Sequence, residues 1–265
     1  MLNLLYNFLM EDFLLNLKNN FDFFVRTHFS FSRKNYVEKN ESKEGLCEIE
    51  REKILYEKYD LEYLKNNSTM QNYLENLYTL DLLDRYFTPH LNPLPKGERK
   101  NNKKNYELGE GESQTILDIG CKNWAYVKSE YAFFKKYCNN FRLDGIEIDP
   151  NRLYSNFYSR KEAAKFYMKG LNETNYIEGD FLSHYKKYDY IIWILPFVVE
   201  YPLIKWGLPM KHFQPEKLLQ HAYNSLKEGG KILIINQDDI EHEAQEALCK
   251  KLNIPFTIIG EVESE

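Results

Sequence analysis

Apolar residues recur at helical spacing over the first third of the chain. FLMEDFLLNLKNNFDFF carries them every three or four positions, and MQNYLENLYTLDLLDRYF sets Tyr73, Leu74, Leu77, Tyr78, Leu80 and Leu83 on one broad face. Both stretches predict helices. Between them VEKNESKEGLCEIEREK is a polar connector whose end can start another helix. The pattern then disappears: residues 88–114 collect three prolines, three glycines and a basic run followed by an acidic one, which predicts a flexible linker. From residue 115 short apolar runs alternate with helical stretches, the signature of a parallel sheet built from β-α-β units. The predicted strands are TILDI, RLDGIEI, NYIEGD, DYIIWIL, KILIIN and FTIIGEV, with helices near 126–139, 151–170, 215–228 and 240–252. In LKEGGKILIIN, Gly229 and Gly230 are able to end a helix in the left-handed conformation before Lys231 opens a strand. The organisation expected is therefore a helical region over 1–87, a linker over 88–114 and an α/β domain over 115–265.

Composition narrows the partners. At 28% charged residues and a mean hydropathy of −0.61, no apolar run reaches the roughly 18 residues that span a bilayer. The opening MLNLLYNFLMEDFLLNLKNNFDFF has no basic leader, is interrupted by Glu11 and Asp12, and is followed by no small-residue cleavage site. It reads as a helix packed on something, with an interfacial helix as the alternative, although a Lys/Arg-rich polar face is lacking. A net charge of −5 gives no pull towards phosphate backbones, so nucleic acid is disfavoured and a small molecule or a protein is the expected partner. Cys47, Cys121, Cys138 and Cys249 are far apart, with no C-x-x-C pair and no histidine cluster, so neither a metal site nor a disulfide framework is expected. That usage suits a reducing cytoplasm. The linker halves NPLPKGER and ELGEGE resemble peptides left by a palindromic DNA repeat inserted in a reading frame, a repeat-derived insertion tolerated on the surface. A basic substrate-gripping loop built on Lys100, Lys103 and Lys104 is the functional alternative.

The candidate chemistry begins at TILDIGCKNW. Neither G-x-G-x-x-G nor G-x-x-x-x-G-K-[ST] is present, so the loop is not built to wrap phosphates. Instead Asp118 ends a strand two residues before Gly120, with a helix to follow. This suits a nucleoside without phosphates, such as S-adenosylmethionine, whose cationic groups the acid can serve while helix N-terminal amides serve its carboxylate. Alone, such a loop describes structural turns equally well. Two echoes follow. Glu147 ends the second strand, where a carboxylate can accept both hydroxyls of a ribose, and Asp180 follows the third, where it can accept from the adenine amine beside the apolar Phe181. Three acids on successive strand ends share the C-terminal edge of the sheet, where open parallel sheets bind ligands.

Over about residues 115–265 the chain resembles the class I S-adenosylmethionine-dependent methyltransferases, through ILDIGC, DGIEIDP, EGDF, YDYIIWILPF and LKEGGKILIIN in the expected order. The resemblance implies a Rossmann-like seven-stranded sheet of order 3-2-1-4-5-7-6 with helices on both faces. It implies Asp118 and Gly120 at the methionine end of the cofactor, Glu147 on the ribose and Asp180 on the adenine, with Cys121, Ile148, Phe181 and Trp193 as further cofactor-binding candidates. WGLP and FQPEKLLQHAYNSLKEGGKILIINQ are similar to a little-characterised bacterial subgroup of these enzymes, to which no substrate attaches.

Three departures carry consequences. The family's D-x-G-x-G-x-G loop reads D-I-G-C-K-N-W, so Lys122 and Trp124 replace two glycines, and Asn123 is the residue expected to take a left-handed conformation in their stead. After FTIIGEVESE the sequence given stops, so the seventh strand is either formed from elsewhere or missing, which would expose a backbone edge. The acceptor slot, often N-P-P-[FY] in amino-directed enzymes, reads Ile194-Leu195-Pro196-Phe197 and lacks the polar acceptor, which disfavours adenine or glutamine methylation by that route. Pro196, Phe197, Trp206 and His212 are the expected acceptor-side residues, with Trp193 and Tyr201 adding to an aromatic pocket or simply packing the loop. No catalytic residue is assigned. His212, Glu200 and Asp238 are base candidates by location, His221 reads as a helix-face residue, and QDDIEHEAQEAL as a capped acidic helix start. The expectation is a cytoplasmic methyltransferase acting on an oxygen or nitrogen of a small molecule, or next on a protein, with the N-terminal helices beside or over the cleft. The alternative is a catalytically silent module that keeps the fold as a binding or scaffolding surface; a nicotinamide oxidoreductase is weaker, since the pyrophosphate loop is absent.

Overall fold

The computed structural model describes residues 2–29, 49–59, 61–87 and 113–262. Most of the predicted linker and of the polar connector, including Cys47, lies outside the described residues. Five strands form one all-parallel sheet of order β3-β2-β1-β4-β5. They are β1 (Gln114–Ile119), β2 (Phe141–Glu147), β3 (Thr174–Glu178), β4 (Tyr188–Ile194) and β5 (Leu226–Ile235). The order reverses between β1 and β4, so the C-terminal edge there opens the crevice that doubly wound sheets use for ligands.

Both faces of the sheet are covered, which is why the central strands carry apolar residues on both faces rather than in strict alternation. Ile116, Leu143, Ile192 and Leu233 pack on one side against α2 (Ile49–Lys58), α3 (Leu61–Asn66), α4 (Met70–Leu82), α5 (Val127–Tyr137) and α6 (Arg160–Tyr167). Leu117, Ile119, Ile146 and Ile191 pack on the other against α8 (Pro215–Asn224) and α9 (Asp239–Lys251). α2 to α4 thus share one core with the sheet. They stand on the side away from the cavity described below.

Of the described N-terminal helices, α1 (Leu2–His28) packs beside the wall of that cavity. Phe23 packs with Leu203, Ile204 and Leu208 around α7 (Glu200–Lys205), and the Asn19 amide donates to the Ile204 carbonyl at 2.9 Å. Arg26 pairs with the buried Asp149 at 2.9 Å. The other face of α1, with Leu14, Leu17, Phe21 and Phe24, is exposed.

α4 also holds the loop after β1. The Asn72 and Asn76 amides both donate to the Ala125 carbonyl, at 2.7 and 2.9 Å, and Asn76 Oδ1 accepts from the Ser129 amide at 2.8 Å. Both asparagines are fully buried, so truncation strands polar groups without water. Asn76→Ala is expected to cost about 1–3 kcal/mol, read as a lowered urea midpoint.

Several expectations change. FTIIGEV forms no strand: after α9 the chain passes Asn253 in a left-handed conformation (φ 54°) and leaves residues 253–262 without regular structure, so the sheet ends at β5. Gly229 does take a positive φ (75°), but inside β5 rather than at a helix end, because α8 has already stopped at Asn224. The helix expected over 151–170 is shorter, since Ser159 and Glu162 form a reciprocal capping box that starts α6 at Arg160.

Candidate functional site

A cavity of about 920 Å³, open mouth included, sits on the C-terminal edge where the loops after β1, β2, β3 and β4 meet. Of the residues expected from sequence, Gly120, Glu147, Ile148, Asp180, Phe181 and Trp193 line it, and so do Pro196, Phe197, Trp206 and His212. Asp118 and Cys121 do not: the strand's alternation turns Asp118 to the opposite face, and Cys121 is fully buried under the loop. Glu200 is exposed outside the lining, and Asp238 caps α9 by accepting from the Glu241 amide. His212 is thus the base candidate that reaches the cavity. His221 donates from Nε2 to the His184 carbonyl, 2.7 Å away, as expected of a helix-face residue.

The loop after β1 keeps the turn that glycines normally supply. Gly120 has φ 75°, and a Cβ placed there would meet nothing within 4 Å, so its backbone faces open space. Lys122 (φ 56°) and Trp124 (φ 48°), rather than Asn123, adopt the left-handed conformation. Each pays a steric cost of about 1–2 kcal/mol for it. Packing holds them there: Trp124 is wholly buried and donates from Nε1 to Glu130 at 2.8 Å, while the Lys122 carbonyl accepts from the Tyr176 hydroxyl at 2.7 Å.

Glu147 is oriented before any ligand arrives. Its Oε1 accepts from the Asp149 amide at 2.8 Å and from Arg160 at 2.7 Å, and its Oε2 accepts from the Lys122 amide at 2.9 Å. Arg160, at the first turn of α6, is nearly as buried as Glu147 and lines the same cavity. Asp180 has one oxygen on the Leu182 amide at 3.0 Å and is half-buried at the cavity wall. Phe181 is buried beside it, edge-on to His221.

His212 lies on a short turn, its ring 4.8 Å from that of Phe23 on α1. Burial, then the nearby Lys211 charge, lowers its pKa below the ordinary value, so the imidazole is neutral at neutral pH, and its buried Nε2 has no hydrogen-bond partner among the described residues. Lys122 and Arg160 were missed as site residues. Lys122 was visible only as a lost glycine, and Arg160 sat unmarked within an expected helix.

No family model matches this chain, and no curated protein does. Several solved structures are similar to part of the chain. The mitomycin 7-O-methyltransferase MmcR matches at 14% identity over 52% of this chain and 37% of its own, with a TM-score of 0.33. A SAM-dependent methyltransferase from Aquifex aeolicus matches at 14% over 54% of this chain and 73% of its own, TM-score 0.38. CalS10, an amino pentose methyltransferase from Micromonospora echinaspora solved with SAM bound, matches at 13% over 48% and 44%, TM-score 0.31. This chain therefore spans less than half the length of two of these three proteins, and the functional reading rests on its own residues.

Proposed function

We propose that this chain binds S-adenosylmethionine in the edge cavity and transfers its methyl group to an oxygen or nitrogen of a small, largely apolar molecule. The observation that carries the reading is the pair of acids, Glu147 and Asp180, ending adjacent strands β2 and β3 on one apolar cavity. Bound there, S-adenosylmethionine supplies a methyl group on a sulfonium sulfur, open to in-line displacement by a lone pair. The residues present fit such a ligand. Glu147 Oε2 accepts a single hydrogen bond from the protein and keeps a lone pair for a ribose hydroxyl. Asp180 keeps one oxygen for an exocyclic amine, and Ile148 and Phe181 supply apolar walls for a base. The open backbone at Gly120 leaves room for the tail.

On the acceptor side Trp193, Pro196, Phe197, Leu203 and Leu208 exclude water from the reacting atoms. His212 stands among them with a free, neutral Nε2, suited to orient an acceptor O–H or N–H and to take its proton as the new bond forms. Positioning does the rest, since a displacement from a sulfonium needs alignment more than strong acid or base assistance.

Calorimetric titration of the full chain with S-adenosylmethionine and S-adenosylhomocysteine tests the reading. Binding of both is expected, and Asp180→Ala is expected to weaken both about tenfold, the loss of one hydrogen bond to a charged group. A folded wild-type protein that takes up neither would sink the reading and leave the fold serving as a binding surface.

A further inference from the structure

Lys122 takes the place of a glycine, but its side chain does more than fill space. It lines the cavity with its ammonium 4.1 Å above the ring centroid of Trp206, which lines the cavity too. Among the described residues no carboxylate oxygen lies within 4.0 Å of that ammonium. The nearest acid in the cavity wall, Glu147, is already taken by Arg160 and two backbone amides. A half-buried cation facing an apolar cavity, with no carboxylate in direct contact, is costly unless a ligand brings an anion. Burial, followed by repulsion from Arg160, lowers the Lys122 pKa against the longer-range attraction of Glu147 and Asp118.

Position selects the kind of anion. Lys122 follows β1 and Asp180 follows β3, with β2 between, so the two sit across two strand spacings, about 10 Å. A ligand whose base reaches Asp180 and whose ribose reaches Glu147 directs the far end of its tail at Lys122. We propose, resting on the nucleoside reading above, that Lys122 is the counter-charge for the carboxylate of the cofactor's aminoacyl tail. It replaces the amide contacts that a glycine loop gives to that group. Trp206 steadies the ammonium through its ring face.

The test compares two ligands that differ only in the tail. S-adenosylhomocysteine carries the aminoacyl group, and 5′-methylthioadenosine keeps the nucleoside and thioether without it. Wild-type protein is expected to favour S-adenosylhomocysteine. In Lys122→Met its affinity falls about tenfold or more while that of methylthioadenosine stays unchanged, and Lys122→Arg retains the preference. Lys122→Gly, which accepts the φ of 56° without strain, is the second neutral variant and is expected to behave like Lys122→Met; thermal unfolding of each checks that it is folded. Equal loss of both ligands in a folded variant, or loss of neither, overturns the assignment. So does a result in which the variants keep S-adenosylhomocysteine but lose binding of benzoate to the S-adenosylhomocysteine complex, because the charge then serves an acceptor carboxylate. If the wild type binds neither nucleoside, the cofactor reading fails first and takes this proposal with it; normal methylthioadenosine binding keeps the two failures apart.

Discussion

Restoring glycine at position 124 is expected to weaken the protein, not to repair it. Glycine would relieve the left-handed strain at φ 48°, worth about 1–2 kcal/mol. Against that stands the indole, fully buried and the largest such side chain in the structure. Removing a buried Trp costs about 3–5 kcal/mol through lost burial and the cavity left behind. Glu130 also loses its Nε1–H partner, and its other oxygen, Oε1, has none to begin with. The balance for Trp124→Gly is a net loss of about 3 kcal/mol, or roughly 10 °C in Tm for a chain of this size. The neighbouring strand offers a sharper check. A Cβ on Gly145 of β2 would come within 2.9 Å of both the Trp124 ring and Cys121 Sγ, so Gly145→Ala is destabilising in the wild type. In the Trp124→Gly background part of that clash is gone, and the two substitutions should combine to less than their sum. Strict additivity, or a Trp124→Gly variant as stable as the wild type, would mean that the ring does not hold the loop.

That loop marks the limit of what the chain's sequence discloses. β1 to β4 are legible within one or two residues because each is rich in apolar residues, with β1 to β3 closed by an acid or glycine and β4 by Leu195-Pro196, a pattern that suits a sheet covered on both faces. Glu147 and Asp180 follow from the same logic, as strand ends sharing one edge. The side-chain directions beyond those ends are not legible. Asp118 turns away from the cavity by strand alternation, while Lys122 turns in through a backbone conformation that lysine seldom adopts. Asn123 was the reasonable choice for that conformation by intrinsic preference; tertiary packing of Trp124 against Gly145 and Glu130 overrode it. FTIIGEV has strand composition, but composition does not supply a partner, and the chain leaves α9 in a direction that brings none. The start of α6, by contrast, is legible in the Ser159-to-Glu162 spacing, a capping-box pattern that outweighs the longer helical stretch around it.

Asp118→Asn is expected to stabilise the protein, and to do so only towards alkaline pH. The carboxyl is wholly buried, and burial lifts its pKa to about 7, with the Tyr126 hydroxyl and Lys122 pulling it down and Glu147 pushing it up. In the unfolded chain it titrates near the ordinary value of 3.8. Between those two values the folded state holds a proton that the unfolded state has released, so stability falls as pH rises through the window and levels off above about 7. Some three pH units at about 1.4 kcal/mol each make this single group's contribution of order 4 kcal/mol. Asparagine keeps an oxygen for the Tyr126 hydroxyl, which donates to Asp118 Oδ2 at 2.9 Å, and never ionises. Urea midpoints of the two proteins should therefore agree below about pH 4, diverge as pH rises to about 7 and run parallel above it, with the asparagine variant ahead. Asp84, Asp144 and Asp189, whose pKa values are held below the ordinary range by Lys58, Lys186 and Lys227 against the opposing effect of burial, contribute stability that is lost only as pH falls further, outside this window. Curves parallel throughout would place the ionisation elsewhere. Divergence would mean that the fold tolerates a destabilising acid within β1, its Oδ1 without a hydrogen-bond partner among the described residues.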